Sequence, residues 1–374
     1  MSEQVKTPAG WWYGPAMILK TLLLFSAMFS LGAVAEDKLP LEKIHLPPGF
    51  RIELFARVKG ARSLTYSPSG ILYVGTRDTG EVYAVKPDGK TFKLASGLNS
   101  PNGVAFRDGD LYIGEINRIS KLPQIESHLD HPPALVVLND KLPKDAHHGW
   151  KFMKFGPDGW LYVPIGAPCN ICEPGDPYAS ITRMHADGTG MEIYARGIRN
   201  TVGFDWQPGT NVLWFTDNGR DYLGDDSPPD RLVRDPKEGL NFGYPYCHAG
   251  EISDPEFGKK HPCSDFAPTA QKLGPHVASL GMRFYTGKMF PAEYTHQIFI
   301  AEHGSWNRSV PIGYRVTLVK VNGDKTTSYT PFAEGFLQGK ESWGRPVDVQ
   351  VAPDGALMVS DDLNGAIYRI SYSK

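Results

Sequence analysis

A histidine pair stands in Asp145-Ala146-His147-His148-Gly149-Trp150, and an imidazole with an ordinary pKa of about 6.5 is a natural general base near neutral pH. Polar phrases recur elsewhere: Arg196-Gly197-Ile198-Arg199-Asn200, Asp217-Asn218-Gly219-Arg220-Asp221, Gly224-Asp225-Asp226-Ser227-Pro228-Pro229-Asp230, Glu302-His303-Gly304-Ser305-Trp306-Asn307-Arg308 and Trp343-Gly344-Arg345-Pro346. Arginines suit a polyanionic ligand, because a guanidinium stays charged and pairs bidentately with carboxylates. Clustered Asp and carbonyl-rich Gly/Pro turns suit Ca²⁺, which takes oxygen ligands in flexible geometry. Taken singly, each of these residues is as readily a turn, cap or surface group. What matters is whether the fold makes them converge.

The elements that must position them repeat. A turn of the Pro-Asp-Gly kind followed by a compact apolar strand returns six times, as in Gly156-Pro157-Asp158-Gly159-Trp160-Leu161-Tyr162-Val163 and Ala352-Pro353-Asp354-Gly355-Ala356-Leu357-Met358-Val359. The worn copy is Gln297-Ile298-Phe299-Ile300-Ala301. A period of roughly 40–50 residues with several strands in each is the mark of a β-propeller. Period-2 alternation predicts all-β structure with low helix content. Blades are expected to start near Ser63, Gly103, Trp150, Val202, Ala278 and Pro346, giving a six-bladed β-propeller. The lone strand Phe50 to Ala56 is expected to complete the last blade beside Ile367 to Ile370, covering an open edge. Residues 235–275 break the rhythm and are expected to form an excursion on one face. Each polar phrase flanks a repeat strand, so in a propeller they would gather at one end of the channel.

With 374 residues, 41% of them hydrophobic, the chain has ample material for one large domain, expected over 36–374. Residues 1–35 read as a secretory signal: the apolar run ends in Ala33-Val34-Ala35, and Thr21 to Ala35 is shorter than the roughly 20 residues a spanning helix needs. A retained anchor is the alternative. Export to the periplasm or outside, with no membrane span after signal removal, is the expectation. The net charge of −2 gives no basic excess for nucleic acid. In an oxidising compartment the four cysteines suggest disulfides, with proximity favouring Cys169–Cys172 and Cys247–Cys263. A redox or zinc role for Cys169-Asn170-Ile171-Cys172 stays open; no His follows Cys172, so the haem-attachment motif is absent.

In order and spacing these phrases resemble the soluble glucose/sorbosone dehydrogenase family, six-bladed propellers that use pyrroloquinoline quinone (PQQ) with Ca²⁺. The likeness is nearest to the sorbosone-dehydrogenase-like branch and runs from about Leu46 to Tyr372. It is carried by His148 ahead of Gly156-Pro157-Asp158, Gly197-Ile198-Arg199-Asn200, Asp217-Asn218-Gly219 with Pro229-Asp230, Gly239-Leu240-Asn241-Phe242-Gly243-Tyr244-Pro245, and Arg345 ahead of Pro353-Asp354-Gly355. The resemblance implies roles. His148 would be the base that takes the substrate's hydroxyl proton, and Arg199 would polarise the quinone oxygen with Asn200 beside it. Carbonyls near Gly219 and Arg220 would hold the cofactor's Ca²⁺. Arg345 would bind a cofactor carboxylate, His303 would fall near a cationic cofactor contact, and Asp230 near a second, structural Ca²⁺ site.

Departures from the family pattern are visible too. Ala167 stands where glucose-oxidising members place an aspartate that orients the histidine, His147 replaces an acidic neighbour, Val347 replaces a second cofactor arginine, and Arg220 replaces a proline. Asp145 is the expected substitute for orienting His148. Trp150, Trp306 and Trp343 are candidates for stacking on a planar quinone or sugar, or for packing between blades. The resemblance implies a sugar or aldehyde substrate and an electron acceptor such as a periplasmic cytochrome or quinone. No Gly-rich dinucleotide turn follows a strand, so a nicotinamide cofactor is not expected. Two rivals remain: a calcium-dependent lactone hydrolase, needing a metal held by side-chain carboxylates at the channel centre, and a non-catalytic ligand-binding propeller.

Overall fold

In the computed structural model, which describes residues 38–373, six four-stranded antiparallel sheets follow one another along the chain. Blade 1 is Ala61–Tyr66, Leu72–Thr76, Val82–Val85 and Thr91–Ala95. Blades 2 to 5 begin at Gly103, Lys154, Phe204 and Ser279. Blade 6 takes three strands from the C-terminus, Pro346–Val351, Leu357–Asp361 and Ala366–Tyr372, and its fourth from Phe50–Arg57. The register runs from Phe50 opposite Tyr372 to Arg57 opposite Ala366. This closes the ring as expected and pairs the last open edge. Helical structure among the described residues is limited to four 3₁₀ turns, and no helix there is long and apolar enough to cross a membrane. The expected signal, residues 1–35, lies outside the described residues.

The core lies between blades. Tyr73, Val82 and Phe92 of blade 1 meet Val104, Leu111 and Ile113 of blade 2 in one buried cluster. Equivalent clusters join blades 2 and 3, 3 and 4, 4 and 5, and 6 and 1. Burying each such side chain contributes about 1.5–3 kcal/mol, and alternation along every strand aims successive residues at the two neighbouring blades. First strands of successive blades touch around the axis, blade 1 with blades 2 and 6, and blade 5 with blades 4 and 6.

The Pro-Asp-Gly phrases are the hairpins between the first and second strands. Gly159 and Gly355 sit at φ +84° and +92°, in the region that favours glycine, and Asp158 and Asp354 accept the backbone N–H two residues on, at 3.1 Å each. This placement orders the whole molecule. In an antiparallel pair, the start of the first strand and the end of the second share one end, opposite the hairpin. Arg62, Arg199, Asn200 and Arg345 lie at or just before first strands; Arg77, Asn218, Gly219, His303 and Asp362 lie just after second strands. All therefore gather at the end away from the Pro-Asp-Gly turns.

The stretch 235–275 leaves from the third strand of blade 4 and returns as its fourth, Gln271–Pro275. Between them lie a small hairpin, Cys247–His248 with Ile252–Ser253, and the 3₁₀ turn Cys263–Asp265. Both expected disulfides are formed, Cys169–Cys172 and Cys247–Cys263, and no described cysteine is free.

Candidate active site

One cavity of about 290 Å³ opens at that end, and its walls include His148, Arg199, Asn200, Gly219, Asp230, His303 and Arg345. Seven of the eight residues singled out in the sequence thus meet. The eighth, Arg220, turns its side chain away, to Asp254 at 2.6 Å and Glu256 at 2.9 Å. Only its backbone remains near the Gly219 loop.

His148 is held from one side. Its Nδ1 lies 2.8 Å from the carbonyl oxygen of Ala167, so Nδ1 carries the proton and Nε2 keeps its lone pair. Its backbone takes φ +51°, unusual for a non-glycine residue and frequent at functional positions. The close approach needs Gly166, where a Cβ would fall 2.5 Å from the His148 Cβ. Burial first, then the Arg199 and His147 charges, push the His148 pKa well below 6.5, against the pull of the Ala167 bond. The ring is therefore neutral at physiological pH, with one nitrogen able to accept a proton. Asp145 does not orient it, contrary to the sequence expectation: its carboxylate accepts from the Tyr178 hydroxyl. The backbone at 167 holds the ring where an aspartate side chain was expected to be needed.

Arg199 is buried and fixed by four contacts. Nε donates to the Asn170 carbonyl and Nη2 to the Asn170 Oδ1, both at 2.8 Å; Nη2 also meets Asp221 at 3.0 Å and Nη1 the Asn218 carbonyl at 3.3 Å. Asn170 sits inside the Cys169–Cys172 loop, which packs on Tyr244. Asn200 is set by its backbone N–H to Asp217 at 2.9 Å and its Nδ2 to Asn218 at 3.2 Å. Asp217 in turn is buried against Arg231 at 2.8 Å.

Asp230 is fully buried, and its carboxylate receives the Gly219 N–H at 2.9 Å, the Ser279 N–H at 3.0 Å and the Asn218 Nδ2 at 3.2 Å. Burial raises its pKa to about 7. In this arrangement it braces the Gly219 loop. No group of three His, Cys, Asp or Glu side chains suited to a metal ion occurs among the described residues. A Ca²⁺ at the cavity would have to take backbone carbonyls from the 219–220 turn, together with oxygens of the guest.

His303 donates through Nε2 to Asp362 at 2.9 Å, and burial pushes its pKa down, so it is a neutral donor where a cation was expected. The positive charge in that corner comes from Arg345 and from two arginines that sequence reasoning missed, Arg62 and Arg77. Asp221, Asn307 and Tyr314 are also in the wall. The signal for Arg62 was available: it enters the first strand of blade 1 as Arg345 immediately precedes that of blade 6. The tryptophans divide. Trp150 and Trp306 line the cavity, and Trp306 is 68% exposed beside Tyr222. Trp343 packs on Phe336 and donates to the Gly335 carbonyl, so it is structural.

Three buried polar atoms in the wall lack a hydrogen-bond partner: Trp150 Nε1, Asn307 Oδ1 and Arg345 Nε. Unpaired buried groups of this kind cost about 1–3 kcal/mol each. Two donors, one acceptor and several guanidiniums around one aromatic-walled cavity fit a planar, multiply anionic guest such as PQQ.

The Glucose / Sorbosone dehydrogenase family model matches residues 114–369. An uncharacterized protein of Borreliella burgdorferi is 34% identical over 376 residues, covering 96% of this chain and 97% of that one. The Aldose sugar dehydrogenase YliI of Escherichia coli is 28% identical over 190 residues, 49% of this chain and 45% of that one. Among solved structures, the holo form of the pyranose dehydrogenase PQQ domain from Coprinopsis cinerea aligns with a TM-score of 0.74 at 18% identity, covering 88% of this chain and 97% of that one. At that identity the likeness speaks for the propeller fold.

Proposed function

The chain belongs to the glucose/sorbosone dehydrogenase family, and on that footing we propose that it is an exported, PQQ- and Ca²⁺-dependent dehydrogenase that oxidises an aldose or an aldehyde sugar. The observation that carries this reading is the convergence of His148, Arg199 and Arg345, nearly 200 residues apart at their extremes, on one cavity. Its relatives support it: an aldose sugar dehydrogenase in sequence and a PQQ-holding pyranose dehydrogenase domain in fold.

PQQ bound in this cavity would supply the acceptor for the hydride leaving the substrate carbon. The chain's own residues do the rest. His148 Nε2 takes the proton of the substrate hydroxyl, because its other nitrogen is occupied by Ala167. Arg199 and Asn200 would hold the acceptor in a fixed electrostatic field, which costs no reorganisation during reaction. Arg345 would pair with a cofactor carboxylate. The carbonyls of Gly219 and Arg220 would hold Ca²⁺, and Asp230 keeps their turn in place. Hydride and proton together remove two electrons and two protons from the sugar. The onward acceptor in this reading would be external, such as a periplasmic cytochrome or quinone.

The rivals fit less well. The lactone hydrolase needs side-chain carboxylates clustered on a metal, and no such group occurs among the described residues. A purely binding propeller gives no account of a neutral imidazole with a free Nε2 facing the cavity. The test is to add PQQ and Ca²⁺ to the purified protein and follow reduction of an artificial dye across a panel of sugars and aldehydes. Dye reduction that vanishes in His148→Ala supports the proposal. Lactone cleavage without PQQ, or silence in both assays with no PQQ bound, overturns it.

A further inference from the structure

The cavity has a second cationic side, contributed by blade 1. Arg62, only 2% exposed, donates from Nε to Asn102 and from Nη1 to Asp362, both at 2.6 Å. Arg77 leaves the second strand of the same blade, closes its Nε and Nη2 on Asp78, and lies with its guanidinium carbon 5.1 Å from the centre of the Trp150 ring. Arg345 reaches the same corner, its Nε 3.4 Å from Asp362.

The charges do not balance inside. Asp362 is the half-buried carboxylate that Arg62, Arg345 and His303 share. Burial pushes its pKa up, but His303, Arg62 and Arg345 more than offset this and hold it well below the usual range. It is one negative charge against three guanidiniums, of which Arg62 is buried and Arg77 and Arg345 are each about a third exposed at 33% and 37%. Asp78, the carboxylate paired with Arg77, is 79% exposed, so water screens much of its effect on Arg77. Arg62 and Arg77 repel one another; burial and the Arg77 charge lower the Arg62 pKa against the pull of Asp362. A buried cation beside like charges is costly unless an anion completes the set. All three side chains line the cavity, and the buried Nε of Arg345 makes no hydrogen bond there.

We propose that Arg62 and Arg77, together with Arg345, form a carboxylate-binding corner across the cavity from Arg199, and that two arginines of blade 1 are therefore direct binding residues for the anionic cofactor. This rests on the PQQ reading above. It also accounts for the buried Val347: the chain places no further cation on the first strand of blade 6 because blade 1 supplies the charge from the adjoining blade.

The experiment is a binding titration that needs no turnover. Apo protein is titrated with PQQ, and in parallel with its uncharged trimethyl ester, following tryptophan fluorescence. The proteins are wild type, Arg77→Gln, Arg62→Gln and Arg62→Lys. Arg77→Gln is expected to weaken PQQ about tenfold or more and to flatten the salt dependence, leaving the ester's affinity unchanged. Arg62→Lys, which keeps the charge and guards against misfolding of Arg62→Gln, should lose less than the glutamine variant. If wild type binds PQQ and Arg77→Gln binds it equally well, the corner is wrong and the cofactor assignment stands. If wild type binds no PQQ at all, the cofactor assignment falls and the corner falls with it.

Discussion

The Nδ1–H of His148 points at the carbonyl oxygen of Ala167, 2.8 Å away. A carbonyl only accepts, so this one bond sets the tautomer and leaves Nε2 free for a substrate proton. The contact uses the backbone, which every residue type possesses. Replacing His148 with Ala should therefore cost roughly 10²–10⁴-fold in kcat, with PQQ affinity nearly retained in the same fluorescence titration. Ala167→Gly should keep kcat within a few-fold.

The pH dependence follows from the same environment. As the proposed base, His148 would act when neutral, and burial with the neighbouring charges places its pKa well below 6.5. The dye-reduction rate should thus be flat near neutrality. It should fall only on the acid side, with a midpoint below that of an ordinary imidazole. A midpoint at or above 6.5 in kcat/KM would contradict the assigned tautomer and burial.

Asn170 clasps Arg199 through both its carbonyl and its side-chain oxygen, and also takes the Asp221 N–H at 2.8 Å. Asn170→Ala should remove one of the two clasping bonds and lower kcat about tenfold, while the melting temperature shifts little. Cys169→Ala with Cys172→Ala loosens the same loop and should act in the same direction. Loss of the remote Cys247–Cys263 bridge should lower stability without that selective effect on kcat.

The buried Asp217–Arg231 pair carries the loop that presents Asn200 and Gly219. Removing one partner leaves a buried charge, which costs about 3–5 kcal/mol. Asp217→Ala should accordingly lower the denaturant midpoint strongly. Asp230→Ala leaves the Gly219 and Ser279 N–H groups without their acceptor and should reduce Ca²⁺ retention, read as residual activity after EGTA treatment and return of Ca²⁺.

Much of this was legible in the sequence because a propeller translates position within a repeat into position in space. A residue just before a first strand or just after a second must lie at one end, which is why His148, Arg199 and Arg345 could be placed together. Contacts between blades followed no such rule. Nothing in the sequence marks Asn170 as a partner of Arg199, or Asp362 as the shared acceptor for Arg62, Arg345 and His303, since those bonds depend on how loops fold over the channel mouth. Asp145 was expected to orient His148 in place of the missing aspartate; its side chain instead reaches Tyr178, and the oxygen that accepts from His148 is the backbone carbonyl of Ala167. Trp343 looked like its counterparts in composition, yet its Nε1 is consumed by Gly335.

Calorimetric titration of PQQ into the Ca²⁺-supplemented protein tests the shared cavity most directly. One site is predicted in the wild type, weakened tenfold or more in Arg199→Gln and again in Arg345→Gln. Absence of binding to the wild type, or affinity unchanged in both variants, would contradict the account.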